Sequence, residues 1–252
     1  MKPAGGPVQD PGPPKRVFAT THWSLVLAAA DAGSPQASEA LEQLCRTYWH
    51  PIYTYIRWRG HKPEEAQDLT QAFFAGLLEK ESIRLADPAR GRFRTFLLTA
   101  LQHFLVDDWK RTQCLKRGGR AIQLPLEEVI AKDPYTAEFT DRRTPEEAYE
   151  ERWALTLLEE VLNRMREDYL RAGKARLFEV LQDFLWGREA STSYASLAQE
   201  LAMTEGAVRV AVHRLREHYR ERIWEEVAHI VGDPSEVEAE LHYLASVICA
   251  VK

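Results

Sequence analysis

Residues 193–223, SYASLAQELAMTEGAVRVAVHRLREHYRERI, constrain the fold more than any other stretch. Tyr194, Leu197, Ala198 and Leu201 fall at i, i+3, i+4 and i+7, the apolar face of a short helix. Ala202 and Met203 interrupt that pattern. Thr204 is a good cap for a second helix, and Glu205 puts an acid in its first turn, where the helix dipole favours negative charge. In that helix Ala207, Val208, Ala211, Val212, Leu215 and Tyr219 make the inner stripe. Arg209, His213, Arg214, Arg216, Arg220 and Arg222 are left on or near the outer faces. A short helix, a tight turn and a second helix carrying cations outward form a helix-turn-helix, which sets side chains against base edges and phosphates. An ordinary helical hairpin with a solvated basic face shares the periodicity, but not the coincidence of small Ala198, short turn, cap and cation row.

The rest of the chain reads as helical too, with no alternating strand and no hairpin signal. Helices are expected at 20–31, from Pro35 to about Arg59 (with Pro51 as a kink or break), and from Pro63 through PEEAQDLTQAFFAGLLEK. Others are expected from about Arg92 to Arg111, from Thr144-Pro145 to about Glu167, and at 174–187, 193–202, 204–229 and 235–250. The fold class is therefore all-α: two small helical domains joined by a flexible linker, the second with the helix-turn-helix, plus a C-terminal helical extension. The expected bounds are a Pro/Gly-rich disordered tail at 1–18, a first domain at 19–112, a linker at 113–150, a second domain at 151–226 and the extension at 227–252.

Charge is segregated. The 252-residue chain carries a net charge of −5, yet residues 84–120 hold nine Lys/Arg against three Asp/Glu. Residues 127–160 hold four against eleven, and residues 225–240 hold six acids and no Lys or Arg. Such asymmetry suits a local nucleic-acid surface beside acidic ones. Cys45, Cys114 and Cys249 are far apart and odd in number, which fits a reducing compartment and gives no disulfide framework. No run of about 18 apolar residues reads as a membrane span.

A second constellation lies at 64–111. In EEAQDLTQAFF, Ala66, Leu69, Phe73 and Leu77 continue one apolar stripe, while Asp68 and Gln71 lie three apart on another face. Downstream, GRFRTFLLTALQHFLVDDWKRT mixes Phe93, Phe96, Phe104 and Trp109 with Arg92, Arg94, Lys110 and Arg111. Rings interleaved with cations suit single-stranded DNA, because bases stack while cations track phosphates. Phe96, Leu97, Ala100, Leu101, Phe104 and Leu105 read instead as core; Phe93, Arg94, His103 and Lys110 are open to either reading.

Taken in order, DLTQAFF, DPARGRFR, TFLLTALQHFLVDDWKR, a linker and SYASLAQELAMTEGAVRVAVHRLRE resemble a bacterial RNA polymerase sigma factor of the small, two-domain extracytoplasmic-function type (group 4), over roughly 40–112 and 150–225. The resemblance implies that Asp68, Gln71 and Phe74 meet the clamp helices of the polymerase β′ subunit. It implies that the loop at 84–91 and the following helix capture an unstacked base of the −10 element, with Arg90, Arg92, Phe93, Arg94, His103, Lys110 and Arg111 as strand-binding residues. His103 falls where the family often has Asn, and Asp107 matches a frequent family Asp. It implies that Thr204, Glu205, Arg209, His213, Arg214 and Arg216 face the −35 element in the major groove. The second domain is expected to meet the β flap.

The departures are specific. Ala72 stands where the family usually has Glu, Ala202 where the turn usually has Gly, and Ala211 where a cation is common; residues 170–192 match poorly. Ala202 carries a conformational cost if its turn needs a positive φ. The extension at 227–252 reads first as a helical cap, with shielding of the recognition helix by its acids as the alternative. The implied function is a sigma factor directing promoter recognition, melting and initiation in the bacterial cytoplasm. Its partners are core RNA polymerase and promoter DNA, with an anti-sigma factor as a further candidate. The alternative is a stand-alone helix-turn-helix regulator. None of the eight histidines forms HExxH or an adjacent His-Asp pair, and neither a phosphate-cradling Gly-rich loop nor GxSxG occurs. No catalytic residue, metal ligand or cofactor is expected.

Overall fold

The computed structural model describes residues 23–31, 35–79, 82–116, 143–186, 193–231 and 233–249. All of its regular structure is helical. The expected tail at 1–18 and the linker's 117–142 lie outside the described residues.

Helix α1 spans Trp23–Ala30 and α2 spans Ala37–Trp58. Along α2, Leu44, Tyr48, Ile52, Tyr55 and Ile56 form the buried stripe, so the helix lays one face into the core. Pro51 sits inside α2 without splitting it. Its missing N–H removes one rung of the ladder, and its ring is buried among the same stripe. Helix α3 (Pro63–Glu79) opens on proline with Glu64 and Glu65 in the first turn, a combination that suits the donor-rich end of a helix. It buries Ala66, Leu69, Phe73 and Leu77 as the sequence predicts, and also Thr70, whose hydroxyl donates to the Ala66 carbonyl at 2.7 Å.

Two single 3₁₀ turns, Ser82–Leu85 and Pro88–Arg90, lead into α4 (Phe93–Lys116). Asp87 caps the second turn by accepting from the Ala89 N–H at 2.9 Å. Gly91 closes it at φ 122°, a conformation that side chains disfavour.

Helix α5 (Pro145–Arg171) begins with a full capping box: Thr144 Oγ1 accepts from the Glu147 N–H at 3.1 Å, and Glu147 accepts from the Thr144 N–H at 2.7 Å. The helix starts at Thr144-Pro145 as expected and runs for 27 residues, so its first turns, 145–150, overlap the bounds given to the linker. Helix α6 (Ala175–Leu181) runs into a 3₁₀ segment, Gln182–Trp186. Helix α7 (Tyr194–Glu200) and the 27-residue α8 (Glu205–Val231) follow. A 3₁₀ turn at Pro234–Glu236 and α9 (Val237–Cys249) end the described chain.

Two apolar cores organise these elements, and their limits differ from the expected bounds. The first joins α1–α4 to Tyr149, Trp153, Ala154 and Leu157 of α5, Val227, Ile230 and Val231 of α8, and Val237 and Leu244 of α9. The second gathers Val161 and Met165 of α5 with Phe178, Leu181, Phe184, Leu197, Ala198, Val208, Val212, Leu215 and Tyr219. Helices α5 and α8 therefore each run through both cores, and Ile223 touches both. Large fully buried side chains such as Trp153, Tyr149 and Phe178 drive this arrangement, each contributing about 1.5–3 kcal/mol of burial.

Candidate nucleic-acid interface

The turn that joins α7 to α8 is built around one unusual backbone position. Ser193 caps α7 by accepting from the Ser196 N–H at 3.1 Å. At its other end the Met203 N–H reaches the Ala198 carbonyl at 2.9 Å and the Ala202 N–H reaches the Gln199 carbonyl at 3.3 Å. This six-to-one and five-to-two pair is a Schellman motif, whose C′ residue takes a left-handed conformation. Here that residue is Ala202, at φ 52°, the one non-glycine with positive φ among the described residues. Thr204 then caps α8, its Oγ1 accepting from the Ala207 N–H at 3.2 Å. Leu197 and Ala198 pack against Val208 and Val212, which fixes the two helices against each other.

This packing turns Glu205, Arg209, His213 and Arg214 to solvent. Arg209 lies over the Tyr194 ring at 5.3 Å and within 3.7 Å of Glu205. An exposed pair of that kind contributes little to stability and leaves the guanidinium available to a phosphate. Arg216 differs from the expected outward position. It is half-buried, and its Nε donates to the Phe184 carbonyl at 3.0 Å, tying α8 to the 3₁₀ segment.

The α3 face is simpler. Asp68 and Gln71 are exposed on neighbouring turns, whereas Phe74 is buried and stacked on Trp49, with centroids 6.0 Å apart and planes at 8°. Phe74 thus supports that face from beneath.

The start of α4 departs furthest from expectation. Phe93 is only 3% exposed; it stacks on Phe96 and meets Trp23 and Tyr48 edge-on, at 6.0 and 5.6 Å. A base cannot stack on a ring already covered on every side, so in this conformation Phe93 is core. Arg94 is 6% exposed and held by Glu150 at 2.8 Å and Glu240 at 2.6 Å, with its guanidinium 4.3 Å from the Trp153 ring and 5.3 Å from that of Tyr243. The Nη1–Oε1 contact to Glu240 is close but not aligned as a hydrogen bond, so it acts as a charge contact. Burial alone would lower the Arg94 pKa; Glu150 and then Glu240 outweigh it and hold the pKa above its ordinary value. Below it, the fully buried Tyr149 hydroxyl donates to the Arg94 carbonyl at 3.0 Å. Burial, with Tyr48 and Glu150 adding to it, pushes that phenol well above the usual tyrosine range.

Arg92 is likewise occupied, by Glu236 at 2.7 Å, Glu240 at 3.2 Å and the Val231 carbonyl at 3.4 Å. Arg90 stays on the surface beside Asp87, at 3.6 Å. Farther along α4, His103 and Lys110 are exposed, Lys110 is 3.6 Å from Asp107, and Arg111 is 2.7 Å from Asp108. From Phe93 to Arg111 the expected strand-binding set thus spreads ~27 Å along α4, with exposed cations beside acids at its far end and a buried ion pair at its start. Glu236 and Glu240 of the C-terminal segment meet Arg92 and Arg94 rather than the outward cations of α8. Glu150, Glu236 and Glu240 were not singled out from the sequence. The opposed acidic and basic blocks were its signal, without the pairing.

Among the described residues no group of three His, Cys, Asp or Glu could hold a metal ion. No described helix is long and apolar enough to cross a membrane.

Residues 44–114, from the third turn of α2 into the last turn of α4, match the family model for sigma-70 region 2. The match covers well under half of the chain. It supports a sigma factor of the sigma-70 type, with core RNA polymerase and promoter DNA as partners. Members of that family recognise DNA and are not enzymes. No curated protein and no solved structure matches the chain.

Proposed function

We propose that this chain is a sigma factor of the two-domain, extracytoplasmic-function type, which binds core RNA polymerase and directs it to promoters. The observation that carries the reading is the coincidence of the region 2 match at 44–114 with a short helix, a tight turn and a long helix that turns Arg209, His213 and Arg214 outward. A duplex-binding regulator needs only the second of these.

In this reading the α3 face with Asp68 and Gln71 binds the clamp helices of the β′ subunit, and the second unit meets the β flap. The N-terminal half of α8 enters the major groove of the −35 element. Arg214 and Arg209 contact base edges or phosphates there, and the Thr204 and Glu205 end approaches the backbone. The segment from Arg90 through α4 holds the opened strand of the −10 element. Neither surface need be strong alone, because tethering makes the second contact intramolecular and multiplies the affinities. Melting then follows from binding energy spent on unstacked bases, without any bond being hydrolysed.

The test is a pull-down of the full chain with bacterial core RNA polymerase, followed by run-off transcription on a library of promoter fragments. Stable binding and new start sites are expected. Retention of duplex DNA without any binding to polymerase would replace this reading with that of a stand-alone regulator.

A further inference from the structure

We propose that the C-terminal segment 233–249 is a built-in anionic clasp on the start of α4, occupying the place that a single nucleic-acid strand takes when the protein acts. This rests on the sigma-factor reading. Its basis is that, among the described residues, the ion-pair partners of Arg92 come from this segment, Glu236 at 2.7 Å and Glu240 at 3.2 Å. Glu240 also reaches Arg94 at 2.6 Å, so one buried carboxylate is shared by two guanidiniums.

The placement follows from the fold. Val237 and Leu244 sink into the first core, which brings α9 against α5 and the end of α8 and sets Glu240 beside Arg92 and Arg94. Tyr243 closes over the Arg94 guanidinium from the same helix. The carboxylates thus meet two cations, and a ring covers one of them. A single strand would offer the same chemistry, with phosphate charge for the guanidiniums and a base for stacking. The charges match: Glu236 and Glu240 fall in the acid-only stretch 225–240, and their targets in the basic stretch 84–120.

The clasp is also built to let go. Glu236 is half exposed, so its pair with Arg92 is screened by water and salt. The deeper pairs to Glu240 are offset by the cost of taking three charged groups out of water. Arg94 keeps Glu150 after release and so stays anchored, whereas Arg92 loses its partners on the segment and turns available. Arg92 is therefore the switched cation and Arg94 the pivot beneath it.

The experiment compares the full chain with the double variant Glu236→Gln, Glu240→Gln, which removes both charges and keeps the side-chain shapes. Three quantities are read: capture by core polymerase, anisotropy of a labelled single-stranded oligonucleotide, and hydrogen exchange of residues 237–249 with and without that oligonucleotide. The variant should bind the strand at least fivefold more tightly, and the gain should vanish when Arg92→Ala is added. In the parent chain, the oligonucleotide should raise exchange across 237–249. If polymerase captures both proteins while strand affinity and exchange stay unchanged, the clasp is overturned and the sigma reading stands. If polymerase captures neither, the sigma reading falls and the clasp falls with it. Circular dichroism of the double variant checks that α9 stays folded. Should it unfold, the exchange response of the parent chain alone decides.

Discussion

Substituting glycine for Ala202 should make this protein more stable, although glycine usually does the reverse. Ala202 is the C′ residue of the Schellman turn between α7 and α8, held at φ 52° by the bonds Met203 N–H to Ala198 and Ala202 N–H to Gln199. A left-handed conformation crowds the β-carbon against the following carbonyl and costs about 1–2 kcal/mol. Glycine removes that cost. Against it stands the greater freedom of glycine in the unfolded chain, worth about 0.4–1 kcal/mol. Ala202 is exposed, so its methyl group fills no core space and its loss leaves no cavity. The difference is a net gain of about 0.5–1 kcal/mol. For a chain of this size that is a rise in Tm of about 1–4 °C, measurable by calorimetry or by circular dichroism at 222 nm. Ala202→Val serves as the opposite control, because a β-branched side chain tolerates this φ worst and should lower Tm. A fall in Tm for Ala202→Gly, or equal effects of glycine and valine, would refute the argument that the turn stores strain at this residue.

Three further outcomes follow from the same structure. Thr144→Ala removes one half of the α5 capping box and should cost about 1 kcal/mol in chemical denaturation; no loss would mean that α5 is nucleated from its packed middle. Burial first, and Glu42 second, push the Cys45 thiol above its ordinary range, so at any given pH less of it is thiolate than for an unperturbed thiol. Half-buried Cys45 should be alkylated several-fold more slowly at pH 8 than exposed Cys249 by peptide-resolved mass spectrometry, with the Cys45 rate climbing as pH rises; equal rates at pH 8 would contradict it. Arg214→Ala should weaken binding to a selected promoter duplex by about 1–3 kcal/mol and relax sequence preference at one position, whereas a uniform loss across sequences would mark Arg214 as a phosphate contact.

The helices could be read from the sequence because each carries its own local signature. Pro63 with Glu64 and Glu65, Thr144 with Glu147, and the spacing of Leu197, Ala198, Val208 and Val212 all act within a turn or two. The same holds for the strain at Ala202, since a missing turn glycine is visible in one line of text. What could not be read is the state of the α4 start. Phe93 and Arg94 alternate ring and cation as an exposed binding strip would, and nothing nearby distinguishes that from a core ring beside a buried ion pair. The distinction is made by Glu150, 56 residues downstream of Arg94, and by Glu240 of α9. Their pairing depends on how α5 and α9 return to the first core, which no periodicity encodes. Arg216 is a smaller case of the same kind: its position on the helix leaves its direction open, and the Phe184 carbonyl decides it.

That α5 and α8 thread both cores bears on how the protein is made. The first core draws on residues from Val26 to Leu244, nearly the whole chain. As the ribosome releases the polypeptide, α1–α4 can form and collapse early, but they present an unfilled apolar face until Trp153 of α5 emerges. That face is sealed only when Val227, Val237 and Leu244 follow. Synthesis proceeds at roughly 5–20 residues per second, so the exposed surface persists for many seconds after α4 is out. The nascent first unit is therefore a natural client for chaperones that bind apolar surface. A message cut short before codon 227 would yield a product that carries every buried residue of the second core yet never closes the first.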